Sequence, residues 1–143
     1  LTGKKVEENG YMGFYSNQIT VIPEGNKYEF LGWIAPRFSK FSVSRSYFSW
    51  LTPNKTYNLD TNMNGSERPF VVTGLYDRYL PMDIYPMYLL KAILAEDLEK
   101  MENLGISEVN EEDLALCEFV DPSKTEMQAI VRRGIDQMLK ELN

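Results

Sequence analysis

Pro81-Met82-Asp83-Ile84-Tyr85-Pro86-Met87-Tyr88-Leu89-Leu90-Lys91-Ala92-Ile93-Leu94-Ala95-Glu96-Asp97-Leu98-Glu99-Lys100-Met101-Glu102-Asn103-Leu104-Gly105 is where this 143-residue chain changes character. Pro86 suits the first turn of a helix, where its missing N–H would have had no partner. Met87, Leu90, Leu94, Leu98 and Met101 then recur at helical spacing, and Gly105 supplies a C-terminal stop. Everything after this stretch reads the same way. Asn110 precedes Glu111, Glu112 and Asp113, an N-cap followed by carboxylates that the positive end of a helix dipole favours. Ser123-Lys124-Thr125-Glu126 has the spacing of a capping box, and Met127, Ile130, Val131, Ile135, Met138 and Leu142 form one stripe behind it. Such short, acidic helices are not stable alone, so their stripes must pack on one another or on a partner.

Before Pro81 the composition is different. Of eighteen Phe, Tyr and Trp residues, seventeen lie between Tyr11 and Tyr88 and only Phe119 follows. Residues 1–80 carry nine Lys or Arg against seven Asp or Glu, whereas residues 81–143 carry six against fourteen. Aromatic and β-branched residues favour strands, so the first part reads as β. Gln18–Ile22 and Tyr28–Ile34 flank the turn-rich Pro23-Glu24-Gly25-Asn26-Lys27, as in a hairpin. Phe41–Phe48 alternates, with Phe41, Val43 and Tyr47 on one face and serines on the other, and it leaves Arg45 on the apolar face in need of a partner. Tyr57–Thr61 and Phe70–Tyr76 flank an Asn64-Gly65 turn, and the Gly-rich, charged Leu1–Tyr15 reads as loop. The expected architecture is α+β: an antiparallel β part of short strands and hairpins over residues 1–79, then a helical bundle over 80–143.

The composition excludes whole classes of chemistry. There is no His, which removes Ser-His-Asp and Cys-His triads and imidazole metal sites. The single Cys117 makes no internal disulfide and no multi-cysteine zinc or iron–sulfur site, usage that suits a reducing compartment. No apolar run approaches the roughly 18 to 20 residues of a membrane-spanning helix. The chain opens with Leu1 and shows no signal segment, so it reads as a piece of a longer protein. Cys117 lies between Leu116 and Glu118, a setting for a buried structural thiol rather than a thiolate nucleophile. Glu108, Glu111, Glu112 and Asp113 lack the alternating ligands and Gly of a calcium loop and read as a solvated helix start. Asn54-Lys55-Thr56 and Asn64-Gly65-Ser66 fit the glycosylation pattern but read as turns. Arg37, Phe38, Lys40, Phe41, Arg45, Tyr47 and Trp50 offer an alternative function, a small β module stacking single-stranded nucleic acid. A pI near 4.7 argues against it, and no Gly-rich phosphate loop is present.

Particular strings go further than periodicity. Leu31-Gly32-Trp33-Ile34-Ala35-Pro36, then Lys40-Phe41-Ser42-Val43 and Arg45, resemble the corresponding stretch of the A subunits of sodium-translocating NADH:quinone oxidoreductases. So do Leu80-Pro81-Met82-Asp83 leading to Pro86 and Leu89-Leu90, and the string Glu111-Glu112-Asp113-Leu114-Ala115-Leu116-Cys117-Glu118-Phe119-Val120. The resemblance implies a C-terminal portion that follows a β-grasp module, with Leu1-Thr2-Gly3 similar to that module's closing residues. It implies a cofactor-free peripheral subunit on the cytoplasmic face of the bacterial inner membrane. That subunit docks on membrane subunits which pass electrons from NADH through flavins and iron–sulfur centres to ubiquinone while sodium is exported. It is similar, too, to the flavin-binding subunit of respiratory complex I and its Rnf counterpart, whose helical part holds a cluster through several cysteines. Two departures stand out: the family often reads Cys-x-x-x-Cys-Pro where this chain has Cys117, Asp121 and Pro122, and often has Gly before Asp97 where this chain has Glu96. The second leaves open one helix or two between Pro86 and Leu104. The implied role is structural and docking, with no catalytic, cofactor-binding or metal residues in this segment and with other subunits of the complex as partners. Contact with ubiquinone would come through the whole subunit, and Phe38 and Trp50 are the candidate aromatic contacts. Neither nucleic acid nor a direct membrane span is expected.

Overall fold

A computed structural model describes residues 5–32, 34–71 and 74–142 of the chain. Leu1-Thr2-Gly3, Trp33 and part of the Phe70–Tyr76 segment named above lie outside the described residues. The chain folds as two compact units, Lys4–Ser66 and Glu67–Asn143, dividing ahead of the compositional break at Pro81.

The antiparallel β part is not observed, and the α+β expectation is corrected: among the described residues there are helices and 3-10 turns but no strand. The local reasons are visible. Pro23–Lys27 does not close a hairpin onto Tyr28; its hydrogen bonds go instead to Thr61 and Asn62. The Thr61 amide donates to the Pro23 carbonyl at 3.2 Å, the Gly25 amide to Thr61 Oγ1 at 2.7 Å, and Asn62 Nδ2 to the Lys27 carbonyl at 3.0 Å. In Phe41–Phe48 the alternating serines compete with a ladder by bonding one another, Ser42 Oγ to Ser44 Oγ at 3.0 Å and Ser44 Oγ to Ser46 Oγ at 2.6 Å. Arg45 sits at φ +56°, which breaks the extended run, so this exposed side chain is on no strand face. Phe48–Leu51 becomes a 3-10 turn. A period of two marks a strand only where a second layer buries one face, and Phe41, Val43 and Phe48 remain exposed.

The second unit is helical, as expected. A 3-10 turn at Tyr76–Arg78 leads to α1 (Pro86–Leu94), α2 (Leu98–Asn103), a 3-10 turn at Ile106–Glu108, a second at Glu111–Leu114 running into α3 (Ala115–Val120), and α4 (Met127–Glu141). α1 is interior: Met87, Leu89, Leu90, Ala92 and Ile93 are all buried. It packs against α4, α2 and the Tyr76–Arg78 turn. Each fully buried Leu or Ile contributes about 1.5–3 kcal/mol. A helix apolar on several sides belongs inside, which is why the predicted one-sided stripe is only half right. Leu89 and Ile93, outside that stripe, are buried, whereas Leu94 within it is exposed.

α1 and α2 are two helices. After the Ala95 C-cap, Glu96 adopts φ +56°; its amide donates to the Ile93 carbonyl, and the Asp97 amide reaches back to Ala92, each at 3.0 Å. That is a Schellman stop made without glycine. Asp97 then caps α2, accepting from the Lys100 amide at 3.1 Å while its carboxylate pairs with the Lys100 ammonium. Gly105, at φ +83°, follows α2 as the sequence suggested. α4 crosses close over α1 at Gly134, where a Cβ would stand 2.8 Å from both Ile93 Cγ1 and Ile106 Cδ1.

A left-handed non-glycine residue costs roughly 1–2 kcal/mol, and at Glu96 no glycine relieves it. Glu96→Gly should therefore raise stability by about 1 kcal/mol, read as a higher thermal midpoint of the helical circular-dichroism signal. A lower midpoint would show that the Glu96 backbone is not the strained element.

Candidate functional site

The place where the family resemblance would put a second cysteine is a buried polar turn. Asp121 follows α3, and its carboxylate gathers three donors: Tyr76 Oη to Oδ1 at 2.6 Å, the Ser123 amide to Oδ1 at 2.9 Å, and the Thr125 amide to Oδ2 at 2.7 Å. Burial pushes this carboxyl up, but hydrogen bonds from Tyr76, the Thr125 and Ser123 amides and the Thr125 hydroxyl outweigh it, so its pKa lies below the ordinary value. The Ser123 hydroxyl donates outward to the Pro69 carbonyl at 3.1 Å, and the Arg68 amide to the Ser123 carbonyl at 3.1 Å. The turn thus fastens residues 68–76 to the loop ahead of α4.

These contacts replace the expected capping box. Lys124, at φ +61°, keeps Ser123–Glu126 out of the helix, and α4 starts at Met127. Its Gln128 amide is capped from another element, by Glu118 Oε2 of α3 at 3.0 Å. One turn before Asp121, Cys117 is buried, with its thiol donating to the Tyr76 carbonyl at 3.8 Å. Burial, with Asp77 adding to it, pushes the thiol up to about 11. The Cys117 reading as a structural thiol agrees with this placement. In the sequence Asp121 stands out only as a departure from the resemblance, and Glu118 and Tyr76 carry no assigned role; Asp121-Pro122-Ser123 carried the usable signal, a turn-forming Asp whose side chain can bond its own backbone two residues on.

The acidic start at Glu111–Leu114 is only partly solvated. Asp113 Oδ2 accepts the Asn110 amide at 2.9 Å, as an N-terminal carboxylate should. Glu111, however, holds Arg132 of α4 in a two-point bridge, Nε to Oε2 at 2.6 Å and a terminal nitrogen to Oε1 at 2.8 Å, and the Arg132 bond holds its pKa below the ordinary value. Among the described residues no cluster of three or more His, Cys, Asp or Glu is arranged to hold a metal ion. An open groove of about 440 Å³ lies between α1 and α2, lined by Tyr88, Ala92, Ala95 and Leu104 with Lys91 and Lys100 at its rim.

Within the first unit, Phe38 is 54% and Trp50 52% exposed, so neither is core. Phe38 packs its ring 5.9 Å from that of Phe48. Arg37 and Lys40, two cations of the candidate nucleic-acid platform, both bind Glu29, at 3.1 and 2.8 Å. Asn54 lies in a turn, and Asn64 lies in a bend with Gly65 at φ +111°.

No protein-family profile matches the chain. Relatives do. The A subunit of the Na(+)-translocating NADH-quinone reductase of Rhodopirellula baltica is 43% identical over 131 residues, covering 92% of this chain and 29% of the relative. That of Hahella chejuensis is 41% identical over 142 residues, 99% of this chain and 32% of the relative, and that of Haemophilus influenzae is 42% identical over 135 residues, 94% and 30%. Nearly the whole chain matches Na(+)-translocating NADH-quinone reductase A subunits. It spans a C-terminal part, about three-tenths of the length, of these relatives. Among the described residues no helix is long and apolar enough to cross a membrane. Two acidic residues hold irregular backbone in this unit: Asp121 bonds the turn after α3, and Glu96 occupies the left-handed stop after α1.

Two outcomes follow from the Asp121 turn. A carboxyl whose pKa is depressed on folding contributes stability that is present above its unfolded value, about 3.9, and lost as pH falls through the folded value. Asp121→Asn should cost about 2 kcal/mol at neutral pH, because one buried donor then faces an amide NH₂, and should flatten the loss of stability below about pH 4. An unchanged acid limb in melts from pH 3 to 7 would contradict this. Cys117 in the folded chain should resist a thiol reagent at pH 8 and react as one equivalent in denaturant; rapid native labelling would overturn its burial.

Proposed function

We propose that this chain is a non-catalytic, structural and docking segment of the peripheral, cofactor-free A subunit of a Na⁺-translocating NADH:ubiquinone oxidoreductase. In this reading it sits at the cytoplasmic face of a bacterial inner membrane, with flavins and iron–sulfur centres in other subunits, and any ubiquinone contact belongs to the whole subunit. The observation that carries the reading is agreement between relatives: curated A subunits of this reductase match nearly the entire chain at 41–43% identity. The chemistry of the residues supports it. The thiol is held protonated, and the buried carboxylate is spent on hydrogen bonds inside the fold. Large apolar side chains stand exposed on the first unit, as contacts to a partner would. The nucleic-acid alternative is not favoured, because Arg37 and Lys40 are both engaged by Glu29.

The test is assembly. Phe38→Ala and Trp50→Ala in the complete polypeptide should leave the thermal midpoint of the helical signal in place and reduce co-purification with the other subunits. A well-packed aromatic contact is worth about 2 kcal/mol, roughly thirtyfold in affinity. Undiminished assembly of a folded variant would rule that residue out as a docking contact, and a collapsed midpoint would make it core. The isolated chain should bind no flavin, iron or zinc in stoichiometric amount, by absorption and elemental analysis; a flavin or sulfur-to-iron band would overturn the cofactor-free reading.

A further inference from the structure

From Tyr11 to Pro23 the sequence runs thirteen residues without a charge: Tyr-Met-Gly-Phe-Tyr-Ser-Asn-Gln-Ile-Thr-Val-Ile-Pro. Its side chains are turned to solvent, Tyr11 and Phe14 at 95% and Tyr15 at 94% exposure, with Val21 at 89%. Phe14 and Tyr15 touch only edge to face, ring centroids 5.1 Å apart. Three such rings present about 500 Å² of surface, near the largest apolar patch an ordinary monomer leaves uncovered and over half of one side of a standard interface. Other rings of the first unit are as exposed, Tyr28 at 95% and Phe30 at 93%, but the charged Lys27 and Glu29 flank them, so it is the uncharged run that sets Tyr11–Pro23 apart.

We infer that the Tyr11–Pro23 stretch is an apolar docking segment whose occupant is the part of the parent polypeptide lying outside the three-tenths of the relatives that this chain matches. This rests on the family reading and deepens it by separating an internal contact from the contacts to other subunits. Three observations favour that occupant. The relatives are about three times as long as the matched segment, so the missing surface is present in the same polypeptide at high effective concentration. A stretch with no charge over thirteen residues suits the dry centre of an interface, where charged residues are depleted. The flanks carry no basic surplus to draw an anionic lipid surface: Lys4, Lys5 and Lys27 are matched by Glu7, Glu8 and Glu24, and Lys5 pairs with Glu24 at 3.8 Å.

The experiment places a benzophenone amino acid at Phe14 of the complete polypeptide carrying this segment, irradiates the assembled complex and maps the product by mass spectrometry. The expected product is a crosslink within the same polypeptide, to a residue outside the segment matched here. A crosslink to another subunit, or to lipid, overturns the inference while leaving the docking reading of Phe38 and Trp50 to stand or fall on co-purification. As a second measurement, Phe14→Ser with Tyr15→Ser in the complete polypeptide should speed limited proteolysis within the Tyr11–Pro23 stretch severalfold, because a covered segment resists cleavage; an unchanged rate would overturn the inference.

Discussion

One carboxylate anchors the helical unit. Asp121 is buried, and a buried carboxylate is tolerated only when its oxygens are hydrogen-bonded. Its oxygens accept from the Tyr76 hydroxyl and from the Ser123 and Thr125 amides. Two of those donors lie in Asp121's own turn and the third, Tyr76, lies 45 residues away, so satisfying one side chain fixes the 3-10 turn ahead of α1 against the loop ahead of α4. With Tyr76 held, its carbonyl receives the Cys117 thiol, and α3 is set beside the turn. With the loop held, α4 leaves at the angle that lets Glu118 cap it and Glu111 grip Arg132. The apolar core that gathers around α1 supplies favourable free energy by burial; the Asp121 turn decides the arrangement in which that energy is released.

The molecule divides its chemistry in the same place as its structure. The helical unit keeps its reactive groups occupied: a thiol with a raised pKa, a carboxylate with a lowered one, and ion pairs that tie turns to helices. The first unit carries most of its described large aromatic rings outward. This agrees with a family whose members are named as one component of a larger enzyme.

What the sequence made legible was whatever depends on short range. Pro86 began α1, Gly105 followed α2, Asn110 and Asp113 formed a cap, and Cys117 was inside, because each is decided within a turn or two of chain. The misreadings share a cause. Alternation at Phe41–Phe48 promised a strand, but a strand needs a neighbour and a covered face, neither of which is written in the strand itself. Ser123–Glu126 had the letters of a capping box, yet Asp121 outbid Ser123 for the backbone amides from two residues upstream. Glu96 shows the opposite case: a residue with no left-handed preference is held there by the Ile93 and Ala92 carbonyls and by Asp97 starting the next helix. Leu89 and Ile93 were missed because a one-sided stripe was assumed for a helix that is covered from several directions.

The close crossing at Gly134 has a consequence for how this fold can drift. Because the space a Cβ would occupy is already held by Ile93 and Ile106, three positions far apart in sequence share a single volume. A side chain gained at 134 has to be matched by a methyl or more lost at 93 or 106, so these sites are free to change only together. In a lineage of such proteins the crossing would be inherited as a constant sum of volumes, with different residues supplying it.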